Sequence, residues 1–334
     1  MRQRDPELKA VVEQLSRGDV QGAVERLDQQ GRVHEVGPRE ERLAAIANEY
    51  VKDPQATLVV SPDNQSRQDL NDVIHQAMQR EGHVDRDEHR TPVLAPRQEI
   101  TGADRQWAER YEQGDVVRYS RGSKTLGIEA GDYARVEGVD TKNNEVTVRT
   151  DDERAVSYDP RRLQGVTLYR ETERAFAKGD RLQMTAPDRE RGVANREFGT
   201  IEHIDQNERM EVRWDSGRTS SFEANEHRHL DYGYAVTSHS SQGQTAGRVL
   251  VHVETDHASE KLVNQRLAYV AVSRGQYDAR IYTDDKVKLP RALDRDVSHR
   301  SALERTPTQA SRQSESRESS RSESSGHSMA VGST

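Results

Sequence analysis

The chain has 334 residues, of which 32% are hydrophobic and 32% are charged, with no cysteine and a formal net charge of −8. The lack of cysteine excludes disulfides, thiolate nucleophiles, iron–sulfur clusters and thiolate zinc sites. No apolar run approaches the roughly 20 residues of a membrane helix and no signal-peptide core is present, so we expect a cytoplasmic protein. The negative total charge, taken alone, argues against a nucleic-acid binder.

The N-terminal residues, 1–52, are predicted to be helical. Asp5-Pro6 places a capping side chain before a proline at the first helical position, and apolar residues then recur at helical spacing. Gly18 indicates the end of this helix, and a second helix is predicted over 20–27. A third apolar stripe over 43–50 predicts one more helix.

The segments before and after the central region of the chain are predicted to form a parallel α/β sheet, whereas the central region has a different pattern. An apolar strand over 57–61 leads into a helix over 65–80, which is the repeating unit of such a sheet. A helix is also predicted over 262–272. Three further short strands are expected late in the chain, over 234–237, 249–253 and 279–283.

The central region alternates every two residues and is punctuated by Gly, Asp and Asn, which predicts antiparallel strands. It also repeats at an offset of 65 residues, since Gly114-Asp115 matches Gly179-Asp180 and Gly127-Ile128 matches Gly192-Val193. The low apolar share of the chain agrees with small modules of this kind. The repeat predicts two tandem small β-barrels inserted between the halves of the α/β domain.

These patterns predict five segments. The C-terminal one is rich in Ser, Arg and Glu with almost nothing apolar, so we expect it to be disordered. The predicted boundaries are 1–52 for the helical segment, 53–110 for the first part of the α/β domain, 111–230 for the barrels, 231–290 for the second part and 303–334 for the tail.

The most informative stretch is Tyr234-Ala-Val-Thr-Ser-His-Ser-Ser-Gln-Gly-Gln-Thr245. It gathers short hydroxyl and amide side chains at the carboxyl end of a predicted strand, where open α/β sheets bind their ligands. Such donors, together with backbone N–H groups, suit the phosphate oxygens of a nucleotide or a nucleic acid. An ordinary polar loop is the alternative, since serine-rich loops are common.

A second stretch, Tyr269-Val-Ala-Val-Ser-Arg274-Gly275, brings an arginine to the end of an apolar helix. A guanidinium in this position can offer a planar fork to a γ-phosphate. The alternative is an arginine whose stem covers the helix end while its charged head stays in water.

Together the two stretches resemble motifs V and VI of superfamily 1 helicases. The first is similar to the pattern Thr-x-His-x-x-Gln-Gly and the second to Tyr-Val-Ala-Leu-(Ser/Thr)-Arg. Within the superfamily, the chain resembles the helicase half of TraI/TrwC-type conjugative relaxase-helicases, relatives of the RecD helicases, over about residues 1–286. The resemblance implies an α/β fold with a RecA-like, P-loop-NTPase-type parallel sheet, the second helicase domain, interrupted by two SH3-like β-barrels.

The resemblance also implies site residues. Arg2 and Arg274 would contact the γ-phosphate of ATP, held with Mg²⁺ in a complete helicase, and have catalytic roles. Gln242 and Gly243 would bind the nucleotide beside Arg274, at its junction with DNA. Single-stranded DNA would be contacted by Thr237, His239, Ser240 and Thr245. On the motif IV helix, Arg67 and Asn71 would contact it as well. For Arg67, a plain surface position is the alternative.

The sequence departs from the family in several ways. It has no Gly-Lys pair, hence no Walker A loop to hold the β- and γ-phosphates, and no convincing Walker B strand. The relaxase half is missing, and the histidines show no metal-ligand spacing, so no resident metal site is predicted. We therefore expect the chain to be inactive alone and to depend on an N-terminal RecA-like half, in cis or in trans.

Three interpretations remain open on the sequence. The first is the second RecA-like part of an ATP-dependent DNA helicase of conjugative plasmid transfer, from a truncated or split gene, with relaxase and other conjugation proteins as further partners. The second is a free-standing DNA- or protein-binding module that uses the tandem barrels. The third is a decayed gene product without activity.

Overall fold

The computed structural model describes residues 3–97, 100, 102–187, 192–223, 228–238, 240–241, 243–256 and 262–295. Before the central region lie α1 (Pro6–Ser16), α2 (Val20–Gln29), β1 (Val33–Glu35), α3 (Arg39–Tyr50), β2 (Thr57–Ser61), α4 (Asn64–Arg80) and β3 (His89–Pro96). The central strands are β4 (Val116–Tyr119), β5 (Tyr133–Asp140), β6 (Glu145–Thr150), β7 (Ala155–Tyr158), β8 (Val166–Phe176), β9 (Arg181–Met184), β10 (Phe198–Ile204), β11 (Arg209–Trp214), β12 (Thr219–Glu223) and β13 (Leu230–Tyr232). The last elements are β14 (Ala235–Thr237), β15 (Ala246–Val253), α5 (Gln265–Val272), β16 (Gly275–Thr283) and α6 (Leu289–Leu293).

Five strands form a parallel sheet in the order β1-β16-β15-β2-β14. The predicted strands at 57–61, 234–237, 249–253 and 279–283 are confirmed as members of this sheet. Strand β1, with three residues at the edge, was not predicted because it is too short to show a period. The mixed α/β class with a parallel sheet is thereby established.

Helices cover the sheet on both faces, and strand β2 shows why its sequence is continuously apolar. Val59 packs into the cluster with Ile46 of α3 and Leu70 of α4. Its neighbours along the strand, Leu58 and Val60, pack into the other cluster, which includes residues of α1, α2 and α5. A strand buried on both faces needs apolar residues at every position.

The N-terminal helices confirm their predicted start signals. The Asp5 carboxylate accepts a hydrogen bond from Leu8 N at 2.7 Å, and Pro6 is the first helical residue. The same device starts α4, where Asp63 Oδ1 accepts from Ser66 N at 2.7 Å. Such caps satisfy N–H groups that have no partner inside the helix.

The central strands form two antiparallel sheets, with the orders β3-β8-β4-β5-β6-β7 and β12-β11-β10-β9-β13. We call β4–β7 with the start of β8 the first copy, and β9–β13 the second copy. The strands pair in the same way in both copies. Val166 of β8 lies opposite Tyr119, and Leu230 of β13 lies opposite Met184, which is the counterpart of Tyr119 at the offset of 65. Each copy is thus a five-stranded antiparallel sheet, and its assignment to SH3-like barrels stays a prediction.

The sequence repeat is confirmed at the level of single hydrogen bonds. Gly114 N donates to Val136 O and Gly179 N to Ile201 O, both at 2.8 Å, and all four residues obey the offset of 65. Both glycines have φ above +90°, a conformation that favours glycine. The register shift after Val136 in β5 also recurs after Ile201 in β10.

The copies differ in how they are anchored. The first has its own core, which includes Tyr119, Val146 and Tyr158. In the second copy, Trp214 and Phe222 belong to the same cluster as the helices α3 and α4. An arm of β3 and β8, paired from His89 opposite Phe176 to Pro96 opposite Tyr169, leads to the first copy and was not predicted.

Two further predictions concern the chain as a whole. Among the described residues, no helix is long and apolar enough to cross a membrane. The tail predicted to be disordered, 303–334, lies outside the described residues.

The aspartate of the first copy gives a stability test. Asp115 is buried and accepts from Arg97 Nη1 at 2.6 Å and from Glu112 N at 2.9 Å. Asp115→Ala should lower the free energy of unfolding in urea by about 3 kcal/mol, since it breaks a buried ion pair and removes the acceptor of Glu112 N. The exposed Asp151 of the same copy is the control, and Asp151→Ala should change the free energy of unfolding by less than about 0.5 kcal/mol. Equal effects of the two substitutions would contradict a stabilising role for the buried contacts of Asp115.

Candidate functional site

A polar loop, residues 237–245, leaves the parallel sheet at its carboxyl edge, as predicted. Strand β14 ends at Thr237, which lies in register with Ser61, the last residue of β2. Ligands of open α/β sheets bind at this edge.

Hydroxyl groups shape the start of the 237–245 loop. Thr237 Oγ1 donates to Ser240 Oγ at 3.2 Å, and Ser241 N donates to Thr237 O at 2.9 Å. Ser241 is fully buried, and its hydroxyl donates to Ser238 O at 2.7 Å. Short side chains that bond their own backbone hold such turns in place.

Two residues in the later part of the 237–245 loop, Gly243 and Thr245, are exposed to solvent. Gly243 has φ of +92°, and apart from its two chain neighbours no described residue has an atom within 4 Å of the position a Cβ would take. By contrast, Thr237 and Ser240 are half-buried. His239 and Gln242, both predicted site residues, lie outside the described residues.

Arg274 is held at the end of α5, directly before β16. Only 8% of the residue is exposed, and its Nε donates to Val270 O at 3.2 Å. The next residue must be small, because a Cβ on Gly275 would stand 2.4 Å from Asp278 O. The tight turn at Gly275 therefore fixes the arginine between the helix and the strand.

The structure brings the two predicted motifs together. Ala246, which follows the 237–245 loop, donates its N–H to Arg274 O at 3.0 Å and pairs with Gly275. The end of the 237–245 loop and the Arg274 turn thereby meet at the amino ends of β15 and β16, whereas the loop begins at the carboxyl end of β14.

The N-terminal segment joins the same place. Gln3 Nε2 donates to Ser273 O at 2.9 Å and to Gly275 O at 3.2 Å, and Arg4 N donates to Gln276 O at 2.7 Å. Arg2 itself lies outside the described residues. Sequence analysis did not identify Gln3 as a site residue, although it stands beside the predicted Arg2.

The structure places Arg67 and Asn71, both predicted to contact DNA, inside the fold. Arg67 is 7% exposed, and its Nη1 pairs with Asp231 Oδ2 at 3.0 Å. Asn71 is completely buried, with Oδ1 accepting from Ala235 N at 2.7 Å and Nδ2 donating to Tyr232 O at 3.2 Å. Both side chains make these polar contacts inside the fold.

A cleft of about 990 Å³ lies between the 237–245 loop, the segment before β2 and the second copy. Gln244 and Thr245 line one wall. Arg181 also lines the cleft, and its guanidinium pairs with Asp215 and lies 5.4 Å from the centre of the Phe198 ring. The cleft offers polar and cationic groups but is not strongly positive. Among the described residues, no group of three or more His, Asp or Glu side chains could hold a metal ion.

A buried polar cluster supports the strand that leads into the 237–245 loop. The Tyr234 hydroxyl donates to Asp180 Oδ1, and His75 Nδ1 lies 2.7 Å from the same oxygen. Burial raises the pKa of the Tyr234 phenol well above its usual value. Burial alone would lower the pKa of His75, but hydrogen bonds and charges from Asp180 and Glu88 outweigh it and raise that pKa.

No protein-family model matches the chain. It is 26% identical over 254 residues to the multifunctional conjugation protein TraI of Escherichia coli, covering 72% of this chain and 14% of the relative. It is 25% identical over 259 residues to TraI of Escherichia coli strain K12, with the same coverage of 72% and 14%. The chain thus spans 14% of the length of these relatives.

Two solved structures of Pif1 helicases are also similar. One, described as the structural basis for DNA unwinding at forked double-stranded DNA by two coordinating Pif1 helicases, is 15% identical and covers 91% of this chain and 52% of that one, with a TM-score of 0.40. The other is the Pif1 helicase from Bacteroides with ADP-AlF3 and single-stranded DNA, at 14% identity, 91% and 54% coverage and a TM-score of 0.32.

The raised pKa of His75 predicts a pH-dependent stability. Because its folded-state pKa exceeds the unfolded value of 6.5, the stabilisation is complete below about pH 6.5 and is lost as pH rises through the folded-state pKa. The difference in unfolding free energy between the native chain and His75→Gln should therefore shrink from pH 6.5 to pH 9 in urea titrations. A difference that grows over this range would contradict the pairing with Asp180.

Proposed function

We propose that this chain, a relative of the superfamily 1 helicases through its homology to TraI, forms the second RecA-like part of an ATP-dependent DNA helicase in conjugative plasmid transfer. The observation that carries the proposal is the meeting of the 237–245 loop with Arg274, joined by the bond from Ala246 N to Arg274 O. The segment that carries groups suited to nucleic-acid phosphates thereby ends against the residue that carries a cation suited to a nucleotide.

Arg274 is proposed to contact the γ-phosphate of ATP, and Arg2 to assist it from the segment that Gln3 ties to the same helix end. A guanidinium of low exposure acts more strongly on a phosphate than one on a hydrated surface, because less water screens its charge. Gln242 and Gly243 are proposed to line the nucleotide side, where the open backbone at Gly243 allows close approach. When bound with Mg²⁺, ATP supplies the free energy for the helicase cycle.

The phosphate-binding loop for this nucleotide is proposed to come from an N-terminal RecA-like half, in cis or in trans, since the sequence has no Gly-Lys pair. Relaxase and other conjugation proteins are proposed as further partners. The five segments predicted from the sequence, with SH3-like barrels over 111–230, are part of the same proposal.

Single-stranded DNA is proposed to contact Thr237, His239, Ser240 and Thr245. Their hydroxyl, imidazole and backbone groups suit phosphate oxygens without requiring a basic surface. The net charge of −8 therefore does not oppose the proposal, since the contacts are local. Arg67 and Asn71 support this region from inside the fold.

A second candidate function is a binding module on the first copy. Trp107, next to this copy, is 49% exposed, and the Arg161 guanidinium lies 6.0 Å from the centre of its ring. An exposed aromatic ring beside a cation is a surface on which a nucleobase can stack. The separate core of the first copy and its two-stranded arm agree with an independent module.

Binding of a labelled single-stranded oligonucleotide to the purified chain, followed by fluorescence anisotropy, separates these functions. Thr237→Ala and His239→Ala should each weaken binding about tenfold, because each removes a hydrogen bond to a charged phosphate. Thr219→Ala, an exposed threonine on β12, is the matched control and should leave the affinity unchanged.

The second candidate predicts the opposite pattern. Residues 98–165 can be replaced by a short Gly-Ser linker, since Pro96 and Tyr169 lie opposite each other at the end of the arm. Loss of binding in this variant, with wild-type affinity in Thr237→Ala and His239→Ala, would support the module and overturn the helicase assignment of the loop.

ATP hydrolysis tests the arginine. The chain alone should hydrolyse no ATP, whereas its mixture with the N-terminal RecA-like half of a TraI-type helicase should do so when DNA is added. Arg274→Ala should lower that turnover by about 10³-fold or more, and Arg274→Lys should not restore it, because lysine lacks the planar fork. DNA-stimulated turnover by the chain alone that disappears in Arg274→Ala would contradict the proposal.

A further inference from the structure

The link between β13 and β14 is the point where the chain passes from the antiparallel sheet of the second copy to the parallel sheet. Only Gly233 and Tyr234 separate the two strands. Gly233 N donates to Arg181 O at 2.8 Å, and a Cβ on Gly233 would lie 2.7 Å from Leu182 O. The link is therefore pressed against β9 and has little freedom on that side.

Asn71 holds the link from the other side. Its amide bridges the two strands, accepting from Ala235 N at 2.7 Å and donating to Tyr232 O at 3.2 Å. All three residues are buried, so neither backbone group could turn to water if the amide were lost. A buried N–H or C=O without a partner is costly, and the strand would shift to relieve it.

Neighbouring contacts converge on the same link. One helical turn before Asn71, Arg67 pairs with Asp231 in β13, and Asp231 also accepts from Arg174 Nε at 3.0 Å. Tyr234 bonds Asp180 of the second copy. Of these groups, only Asn71 bonds the backbone on both sides of the link.

We infer that Asn71 is a positioning residue for the 237–245 loop. The loop begins at Thr237, two residues after Ala235, so a shift at Ala235 passes directly to Thr237 and to the hydroxyl bonds that start the loop. Asn71 thus sets where the loop presents its groups to a nucleic-acid phosphate without touching the nucleic acid. This inference rests on the proposed function of the loop.

The test compares two substitutions in the same helix. Asn71→Leu keeps the number and branching of the side-chain heavy atoms and removes both hydrogen bonds, whereas Ile74→Ala removes buried apolar atoms and no hydrogen bond to the link. In the folded chain, Asn71→Leu should weaken binding of a labelled oligothymidylate about tenfold and speed amide exchange over 235–241. Ile74→Ala should lower the melting temperature but leave both affinity and exchange over 235–241 unchanged.

Asn71→Asp provides a second variant if Asn71→Leu fails to fold. It keeps the volume and the acceptor for Ala235 N but loses the donor to Tyr232 O at neutral pH, so a smaller loss of about threefold is expected. Wild-type affinity in the Asn71 variants together with weakened binding in Thr237→Ala would overturn the positioning role alone. Wild-type affinity in Thr237→Ala as well would overturn the proposed function and this inference with it.

Discussion

The connection from β14 to β15 is the constraint on which the proposed site depends. The two strands run parallel on opposite sides of β2, and the connection starts level with the end of β2 and finishes before its beginning. Only residues 238–245 are available, although crossovers between parallel strands commonly use a dozen or more. The connection therefore runs from the carboxyl end of β14 to the amino end of β15, where it ends against Arg274.

The same constraint explains why supporting contacts gather around β14. This edge strand has three residues and pairs only with β2 within the parallel sheet, so the ladder alone fixes it weakly. Asn71 from α4 and the bond between Tyr234 and Asp180 provide further hydrogen bonds that hold this strand in place. The second copy therefore shares a core with the α/β layer, whereas the first copy, which supports no such strand, keeps a core of its own.

Local patterns allowed much of the fold to be predicted. Strand β2, helix α4, the cap at Asp5 and the 65-residue repeat each depend on residues close in sequence or on self-similarity. The same reasoning placed the 237–245 loop at a strand end and Arg274 at a helix end. That the far end of this loop meets Arg274 could not be predicted, because the contact depends on strand order. The burial of Arg67 and Asn71 could not be predicted either, because a polar residue on a helix gives no sign of a buried partner, such as Asp231, far along the chain.

Hydrogen exchange of the purified chain with and without single-stranded DNA tests the central claim most directly. If the strand-end loop and the Arg274 turn form the proposed site, DNA should slow exchange at residues 237–246 and at 273–276, which the bond from Ala246 to Arg274 connects. Slowed exchange confined to residues 104–163, around the first copy, would contradict it.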